Sequence, residues 1–476
     1  MAWYLVYIIV YFAAMFAIGI RYFFKVKNAD DYLIAGWNMG FWPIVGTIIS
    51  TFCGAAVFIG WVGMGYNVGI SGFVKFGFVS ILFSIIFVLV FGGVLRRQKL
   101  YTMADLFSER FGSKVGIFPS VLSAFIYSVP TLALQMVGMA TIWTTVFGLE
   151  TKLAILLSFV LILAFTILGG LPGTIITDAL QSIIVIVGIV MLAVASIRFA
   201  GGFSSIAANS DPDLLKPFGA GGVSEVLIYA LSVGPFYLLW QSTWQRVFAS
   251  KTEKVAKGAC TLGFVICGLI AVLPFIIGIA ARQYVPEGVT SDMIFSYVTR
   301  QLLPPYLGGI IYIGLLAALM TGADSFILQG SSNLTRDLYQ RLINPKADNK
   351  KLMFVSRITV VIIAVLGLLV AFQIKDISSM YQWALRMTAT VLLFPFLAIM
   401  FWKRATKVGV FASMVIAAVV TAFWPYLHTS VDVTLAGFCA SLVSLVVISL
   451  LTKHSGSEQV KAVYFEDLEI RQTAAK

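Results

Sequence analysis

The chain has 476 residues, of which 60% are hydrophobic and only 11% are charged, with a formal net charge of +12. Soluble domains carry about 25% charged residues, so this chain lacks the polar surface that a soluble protein needs. Its mean hydropathy is +0.96, and apolar stretches of roughly 20 residues, enough to cross ~30 Å of hydrocarbon, recur along it. This composition excludes soluble enzymes, nucleic-acid-binding proteins and disordered proteins, and it predicts an all-α polytopic membrane protein.

About thirteen apolar segments follow one another along the chain, and each is long enough for one membrane helix. We predict that residues 1–453 form a single transmembrane domain and that 454–476 form a polar cytoplasmic tail. The segments, in chain order, are 3–24, 42–67, 71–95, 118–148, 151–169, 174–197, 225–248, 256–281, 306–339, 353–374, 377–401, 407–425 and 432–452.

The basic residues are unevenly distributed over the connections between these segments. One set of alternate connections holds 21 Lys and Arg residues, with Arg246 counted among them, whereas the opposite set holds six. Cytoplasmic loops carry the excess of positive charge, so this bias reports topology and not a nucleic-acid partner. The sequence therefore predicts a multi-pass protein of the cell (inner) membrane, with the N-terminus outside and the C-terminus in the cytoplasm.

Two segments carry residues that interrupt helices. The seventh contains the pair Gly234-Pro235, and the second contains four glycines within twelve residues, at positions Gly54, Gly60, Gly63 and Gly65. Glycines at such intervals either allow close packing of helices or mark an unwound helix.

The two interruptions lie five segments apart, and each opens a block of five segments. Transporters built from inverted repeats place their unwound helices at corresponding positions of the two halves, with the substrate between them. We therefore expect two inverted five-helix repeats over about 42–197 and 225–401. One helix precedes the repeats and two follow them.

Three charged residues fall inside predicted spans: Lys75, Asp324 and Arg386. A charged side chain at mid-membrane costs at least ~2.5–3.5 kcal/mol, so it pairs with another charge or serves a function. Asp324 could pair with Lys75 or with Arg386, or the three could line a water-filled site. Because two bases face one acid, the second interpretation favours an anionic substrate such as a carboxylate.

The ninth segment carries a polar stripe. Ala318, Thr321, Asp324 and Ser325 share one helix face through spacings of three and four residues. Hydroxyl, carboxylate and carbonyl oxygens are the ligands that a hard cation such as sodium prefers. Alternatively, the hydroxyls bond back to carbonyls of the preceding turn. No nucleotide-binding loop, zinc motif or histidine within a span indicates an enzyme, and no cofactor is expected.

Four stretches of sequence resemble the sodium:solute symporter family. They are 28–36 (NADDYLIAG), 102–112 (TMADLFSERFG), 168–181 (LGGLPGTIITDALQ), and 315–321 (LLAALMT) followed by 331–339 (SSNLTRDLY). Their order along the chain matches the family's order. The resemblance implies the fold with two inverted five-helix repeats and alternating access to a central site.

The resemblance also implies positions for the sites. Its sodium site falls here on Ser50, Cys53, Ala318, Thr321 and Gly322, although the family usually has Ser or Thr where this chain has Gly322. A second cation or proton site falls on Asp178, Asp324 and Ser325. The substrate region includes Val57, Lys75, Phe236, Tyr237, Trp240, Gln241 and Arg386.

These observations predict a sodium-coupled symporter that imports a small organic solute, with a carboxylate or an amino acid favoured. Its expected partners are the solute, Na+ and the lipid bilayer; no nucleic acid and no obligatory protein partner is inferred. Two alternatives stay open. The protein could be a proton-coupled or uncoupled transporter that uses Asp324, or a sensor built on a transporter fold.

Overall fold

A computed structural model of the chain describes residues 2–54, 56–286, 288–373, 377–453 and 467. Within these residues every regular element is helical, and one isolated bridge joins Met39 to Ser250. The all-α prediction is therefore confirmed. The predicted tail, 454–476, lies outside the described residues apart from Asp467.

The first half of the chain contains a long first helix, a broken second span and a very long helical stretch after residue 150. Its helical elements are Ala2–Lys25, Ala29–Ile34, Ala35–Trp37, Phe41–Phe52, Ala56–Gly60, Trp61–Val68, Phe73–Phe78, Val79–Val90, Gly92–Arg97, Met103–Phe111, Ser113–Val121, Leu122–Ser128, Val129–Phe147, Thr151–Phe199, Phe203–Asn209 and Pro212–Leu215.

The second half repeats the pattern of long helices joined by short ones. Its elements are Gly222–Leu239, Gln241–Ala249, Glu253–Ala281, Ser291–Met293, Ile294–Leu302, Pro305–Ser332, Asn333–Ile343, Asn349–Ala371, Ile377–Phe401, Lys407–Phe423, Trp424–Leu427 and Val433–Leu451. The helix Pro305–Ser332 lies in the centre of the bundle, because nearly all of its residues are buried.

The described residues contain 11 helices that are long and apolar enough to cross a membrane, or up to 12 if the bent pair near residue 55 is one span. One of the 11, Thr151–Phe199, is interrupted at Gly170, where φ is 54° and ψ is −168°. A Cβ there would lie 2.6 Å from the ring of Tyr32, so glycine is required. The segments on either side of Gly170 are near or above the ~20 residues of a span. The number thirteen stays a prediction.

The second span is broken, as its glycines predict. Its halves, Phe41–Phe52 and Val57–Val68, meet at an angle of 51°. The second half packs closely on the helix Glu253–Ala281, since a Cβ on Gly65 would lie 2.4 Å from the carbonyl oxygen of Phe275. The glycine-rich segment therefore contains a break in the helix and also allows two helices to approach closely.

The seventh span is also interrupted, but not at Gly234-Pro235, where the sequence analysis places the interruption. Pro235 lies inside the helix Gly222–Leu239, and the chain leaves helical geometry at Trp240, with φ −65° and ψ 101°. The indole Nε1 of Trp244 donates to the carbonyl of Leu238 at 3.0 Å. The break removes the backbone amide that would bond to the Leu238 carbonyl, and the Trp244 indole takes its place. The break is therefore tolerated inside the bundle.

Candidate functional site

Three oxygen atoms meet where the broken second span contacts the central helix. The Thr321 hydroxyl lies 2.9 Å from the carbonyl oxygen of Ser50 and 3.0 Å from that of Ala318. All three residues are fully buried. The helix Phe41–Phe52 ends before it can supply an amide to the Ser50 carbonyl, which instead accepts a hydrogen bond from the Thr321 hydroxyl. The structure thus brings together Ser50, Ala318 and Thr321, three of the five residues predicted to bind sodium.

The other two predicted sodium ligands border the same point. Cys53 ends the helix Phe41–Phe52 with φ −83° and ψ 45°, so its peptide group departs from the helix axis. Gly322 follows Thr321 and faces the amide of Gln135: a Cβ on Gly322 would lie 3.1 Å from Gln135 Oε1. The five positions therefore converge on one region between two helices.

A cavity of about 1600 Å³, including the part open to solvent, lies beside these oxygens. It reaches from Gly54 and Gly322 towards the helix ends that carry Thr141 and Thr290. Most of the residues in its wall carry an aromatic ring, a hydroxyl or an amide. They include Trp61, Ser80, Tyr127, Gln135, Tyr381 and Gln382. Such a wall suits a small organic molecule with a few polar groups.

Three of the predicted substrate residues, Val57, Tyr237 and Trp240, line this cavity. Phe236 lies behind them, with its ring centroid 4.9 Å from that of Tyr127 and 5.3 Å from that of Tyr237. Phe236 is 1% exposed, so it supports the aromatic wall from behind. Of the aromatic pair predicted from the sequence, Tyr237 lines the cavity and Phe236 packs behind it.

Gln241 and Lys75 are not among the residues that line the cavity. The amide of Gln241 donates to Asn333 Oδ1 at 2.7 Å and accepts from the Ser123 hydroxyl at 2.9 Å, so it links helices inside the bundle. Lys75 Nζ lies 2.7 Å from the carboxylate of Glu225. The positive charge of Lys75 is therefore neutralised within the chain.

Arg386 lies in a smaller cavity that adjoins the central one. This second cavity has about 530 Å³ of space, and Asp432 also lines it. Phe76, Gln382 and Leu385 border both cavities, so they are neighbours. Arg386 is thus close to the central cavity but not in its wall.

At the predicted second cation site, the guanidinium of Arg246 contacts Asp178 and Ser325. The guanidinium Nη2 of Arg246 lies 2.6 Å from the Ser325 hydroxyl, 2.9 Å from the Thr51 hydroxyl and 3.4 Å from Asp178 Oδ2. Asp178 also accepts from the Thr47 hydroxyl at 2.6 Å. The side chains of Arg246 and Asp178 are fully buried. Counting Arg246 among the loop residues is therefore wrong, because the helix after Trp240 carries it back into the bundle.

Asp324 forms neither of the two ion pairs that the sequence analysis considers, since Lys75 binds Glu225 and Arg386 lies in the neighbouring cavity. Its Oδ1 accepts a hydrogen bond of 2.5 Å from the Thr166 hydroxyl, and the residue is fully buried. Among the described residues, no group hydrogen-bonds to its Oδ2. Of the alternatives open for Asp324, the two ion pairs are therefore not found among the described residues.

The end of the bundle opposite Thr141 and Thr290 is closed by polar contacts. The Arg336 guanidinium lies 3.5 Å from the centroid of the Tyr101 ring and 3.6 Å from the Asp30 carboxylate. Asp337 is buried nearby and accepts from the Thr102 hydroxyl at 3.0 Å. These contacts join the connections after the first, third and ninth predicted spans. The residues that line the central cavity lie towards Thr141 and Thr290, and these contact residues are not among them.

Comparison with known proteins gives relatives along almost the whole chain. The model of the sodium:solute symporter family matches residues 32–417. An osmoregulated proline transporter of Bacillus subtilis is 28% identical, with 93% of this chain and 94% of the relative covered. A sodium/pantothenate symporter of Haemophilus influenzae is 25% identical, with 86% and 87% covered. A sodium/glucose cotransporter of Vibrio parahaemolyticus is also 25% identical, with 89% and 84% covered. All three are transporters and not enzymes.

Solved structures share the fold. The outward-open, substrate-bound structure of a Na+-coupled sialic acid symporter superposes with a TM-score of 0.83 at 17% identity, covering 96% of this chain and 99% of that one. The nucleobase-cation-symport-1 family transporter Mhp1 gives 0.65 at 13% identity, with 91% and 97% covered. The predicted inverted-repeat fold is thereby confirmed. Because the family model spans most of its length, the chain belongs to the sodium:solute symporter family.

Proposed function

We propose that the protein is a sodium-coupled symporter that imports a small organic solute by alternating access. The observation that carries this proposal is the meeting of the Thr321 hydroxyl with the carbonyls of Ser50 and Ala318, directly beside a solute-sized cavity. Oxygen ligands of this kind suit a hard cation. We assign the sodium ion to Ser50, Cys53, Ala318, Thr321 and Gly322.

The placement of this site supplies a mechanism of coupling. An ion bound there would hold the broken second span against the helix Pro305–Ser332 and would stabilise the arrangement in which the cavity is open. Gly54 and Gly322 border both the ion site and the cavity, so the solute and the ion would each favour the same conformation. Such coupling is reciprocal and typically amounts to about 1–3 kcal/mol.

We propose an amino acid or another small carboxylate as the solute. Rings such as Tyr237 and Trp240 would pack on its apolar part, while Ser80 and Gln135 offer hydrogen bonds to its polar part. Lys75 is already paired with Glu225, which leaves Arg386 as the charge that would attract a carboxylate towards the cavity. The similarity to a proline transporter supports an amino acid.

We expect Arg386→Gln to raise the KM of a carboxylate solute several-fold, because it removes the positive charge beside the central cavity while keeping a polar side chain. Asp432→Asn, in the same small cavity, should lower KM or leave it unchanged. Uptake measured at low and high ionic strength checks the cause, since screening weakens such attraction. An unchanged KM in Arg386→Gln would remove this residue from the path of the solute.

The charge bias and the closed end support one orientation in the membrane. The sealing residues Asp30, Tyr101 and Arg336 belong to the connections with the greater positive charge, which we place in the cytoplasm. The cavity then opens outwards, the N-terminus is outside and the C-terminus is inside, in the cell membrane. We retain 42–197 and 225–401 as the repeats, and we infer no obligatory protein partner.

Coupling to protons is the second candidate, and one observation favours it. Asp324 is a fully buried carboxylate with one oxygen bonded to Thr166 and, among the described residues, no hydrogen-bond partner for the other. A proton carried by this oxygen would remove the cost of a buried charge.

Uptake into liposomes, with sodium and pH gradients imposed separately, distinguishes the two candidates. The proposal predicts accumulation driven by the sodium gradient at equal pH on both sides. Accumulation driven only by the pH gradient, and abolished in Asp324→Asn, would replace sodium with protons. Equilibration of the solute without accumulation under either gradient would indicate an uncoupled transporter.

A further inference from the structure

The side chain of Gln135 lies against Gly322, the residue that follows Thr321 on the central helix. A Cβ built on Gly322 would be 3.1 Å from both Cδ and Oε1 of Gln135. This separation is tighter than ordinary van der Waals contact, so the amide already fills the space that a side chain at position 322 would use. Gln135 comes from the helix Val129–Phe147 and is 6% exposed.

The same amide also lies against the break in the second span. A Cβ built on Gly54 would be 3.5 Å from Gln135 Oε1 and 3.9 Å from the carbonyl oxygen of Ala318. The amide oxygen is therefore held between two glycines, one on each of the helices that meet at the ion site. At position 322 a side chain would crowd the amide, whereas at position 54 a Cβ would make ordinary van der Waals contact with it.

We propose that Gln135 Oε1 is a ligand of the sodium ion and takes the place of a hydroxyl at position 322. This inference rests on the proposed sodium coupling and adds a residue to it. Thr321 would supply the one hydroxyl ligand of the site. The Gln135 amide oxygen would add a strongly polar ligand without adding a charge. The ion would then bind three helices instead of two, since Gln135 ties Val129–Phe147 to the broken span and the central helix.

The experiment compares four forms of the purified full-length protein: wild type, Gln135→Ala, Gly322→Ser and the double variant. The half-saturating sodium concentration for thermal stabilisation is measured against choline at constant ionic strength, because bound sodium stabilises the folded state. We expect Gln135→Ala to raise this concentration about tenfold, which corresponds to about 1.4 kcal/mol. Gly322→Ser alone should raise it as well, because the serine side chain and the amide then crowd each other in the same space.

The double variant is expected to recover to within about threefold of the wild type, since the serine hydroxyl then occupies the space that the amide leaves. Gln135→Glu retains a ligand oxygen and should bind sodium at least as tightly, which keeps the test decisive if Gln135→Ala folds poorly. Gln329→Ala is the matched control, because Gln329 is a buried amide on the central helix that bonds to Ser242.

The proposal is overturned if Gln135→Ala keeps the wild-type sodium response, or if the double variant is as weak as the single ones. Those results would leave the proposed function intact, because the wild type would still respond to sodium. A wild type that sodium does not stabilise would overturn both this inference and the assignment of sodium as the coupling ion.

Discussion

Replacing Arg246 with alanine is expected to lower the free energy of unfolding by about 3–5 kcal/mol. The guanidinium is fully buried and contacts Asp178, Thr51 and Ser325. Its removal leaves the carboxylate of Asp178 buried without a charge partner, and that cost exceeds the loss of the hydrogen bonds alone. Thermal and denaturant unfolding of the purified protein in detergent measures the change.

Two further variants separate this cause from a simple loss of packing. Asp178→Asn, added to Arg246→Ala, should recover part of the lost stability because it removes the orphaned charge. Arg198→Ala, which truncates an exposed arginine, should change stability little. If Arg246→Ala unfolds at the same denaturant concentration as Arg198→Ala, then the pair between Arg246 and Asp178 does not stabilise the bundle.

Replacing Thr321 with valine is expected to raise the half-saturating sodium concentration about 10- to 100-fold. Valine keeps the branched shape but removes the hydroxyl that lies between the carbonyls of Ser50 and Ala318. Losing one hydrogen bond or ligand to a charged group costs about 1.5–3 kcal/mol, and each 1.4 kcal/mol is tenfold in affinity. Sodium-dependent thermal stabilisation measures the affinity without knowledge of the solute.

Thr144→Val is the control for this variant, because the hydroxyl of Thr144 bonds to the carbonyl of Thr141 far from the break in the second span. It should keep the wild-type sodium response. Equal sodium responses in Thr321→Val and the wild type would contradict the placement of the ion at Thr321.

Much of the fold could be predicted from the sequence, since apolar length and charge bias are properties of local composition. The glycines of the second span predicted its break, and family motifs placed Ser50, Ala318 and Thr321 at one site. The structure brings these three together because the break exposes carbonyls directly opposite the Thr321 hydroxyl. Spacing on one helix could suggest Thr321, whereas Ser50 lies on another helix and was expected only from the family resemblance.

The residues that the sequence analysis missed are those whose role depends on tertiary contacts. Arg246 resembles a loop cation in sequence, because the break at Trp240 that returns it to the bundle has no glycine or proline to mark it. Gln135 is a single amide in an apolar helix, and its role follows from the two glycines it faces on other helices. Lys75 pairs with Glu225, which the sequence places in a different span.

Solute-driven movement of sodium tests the central claim most directly. Purified protein in liposomes, with equal sodium on both sides and an inward gradient of a solute found by screening, is assayed for sodium entry. Because coupling is reciprocal, symport predicts that sodium accumulates inside while the solute gradient lasts, and that Thr321→Val weakens this accumulation. Entry of the solute without any net movement of sodium would contradict the account.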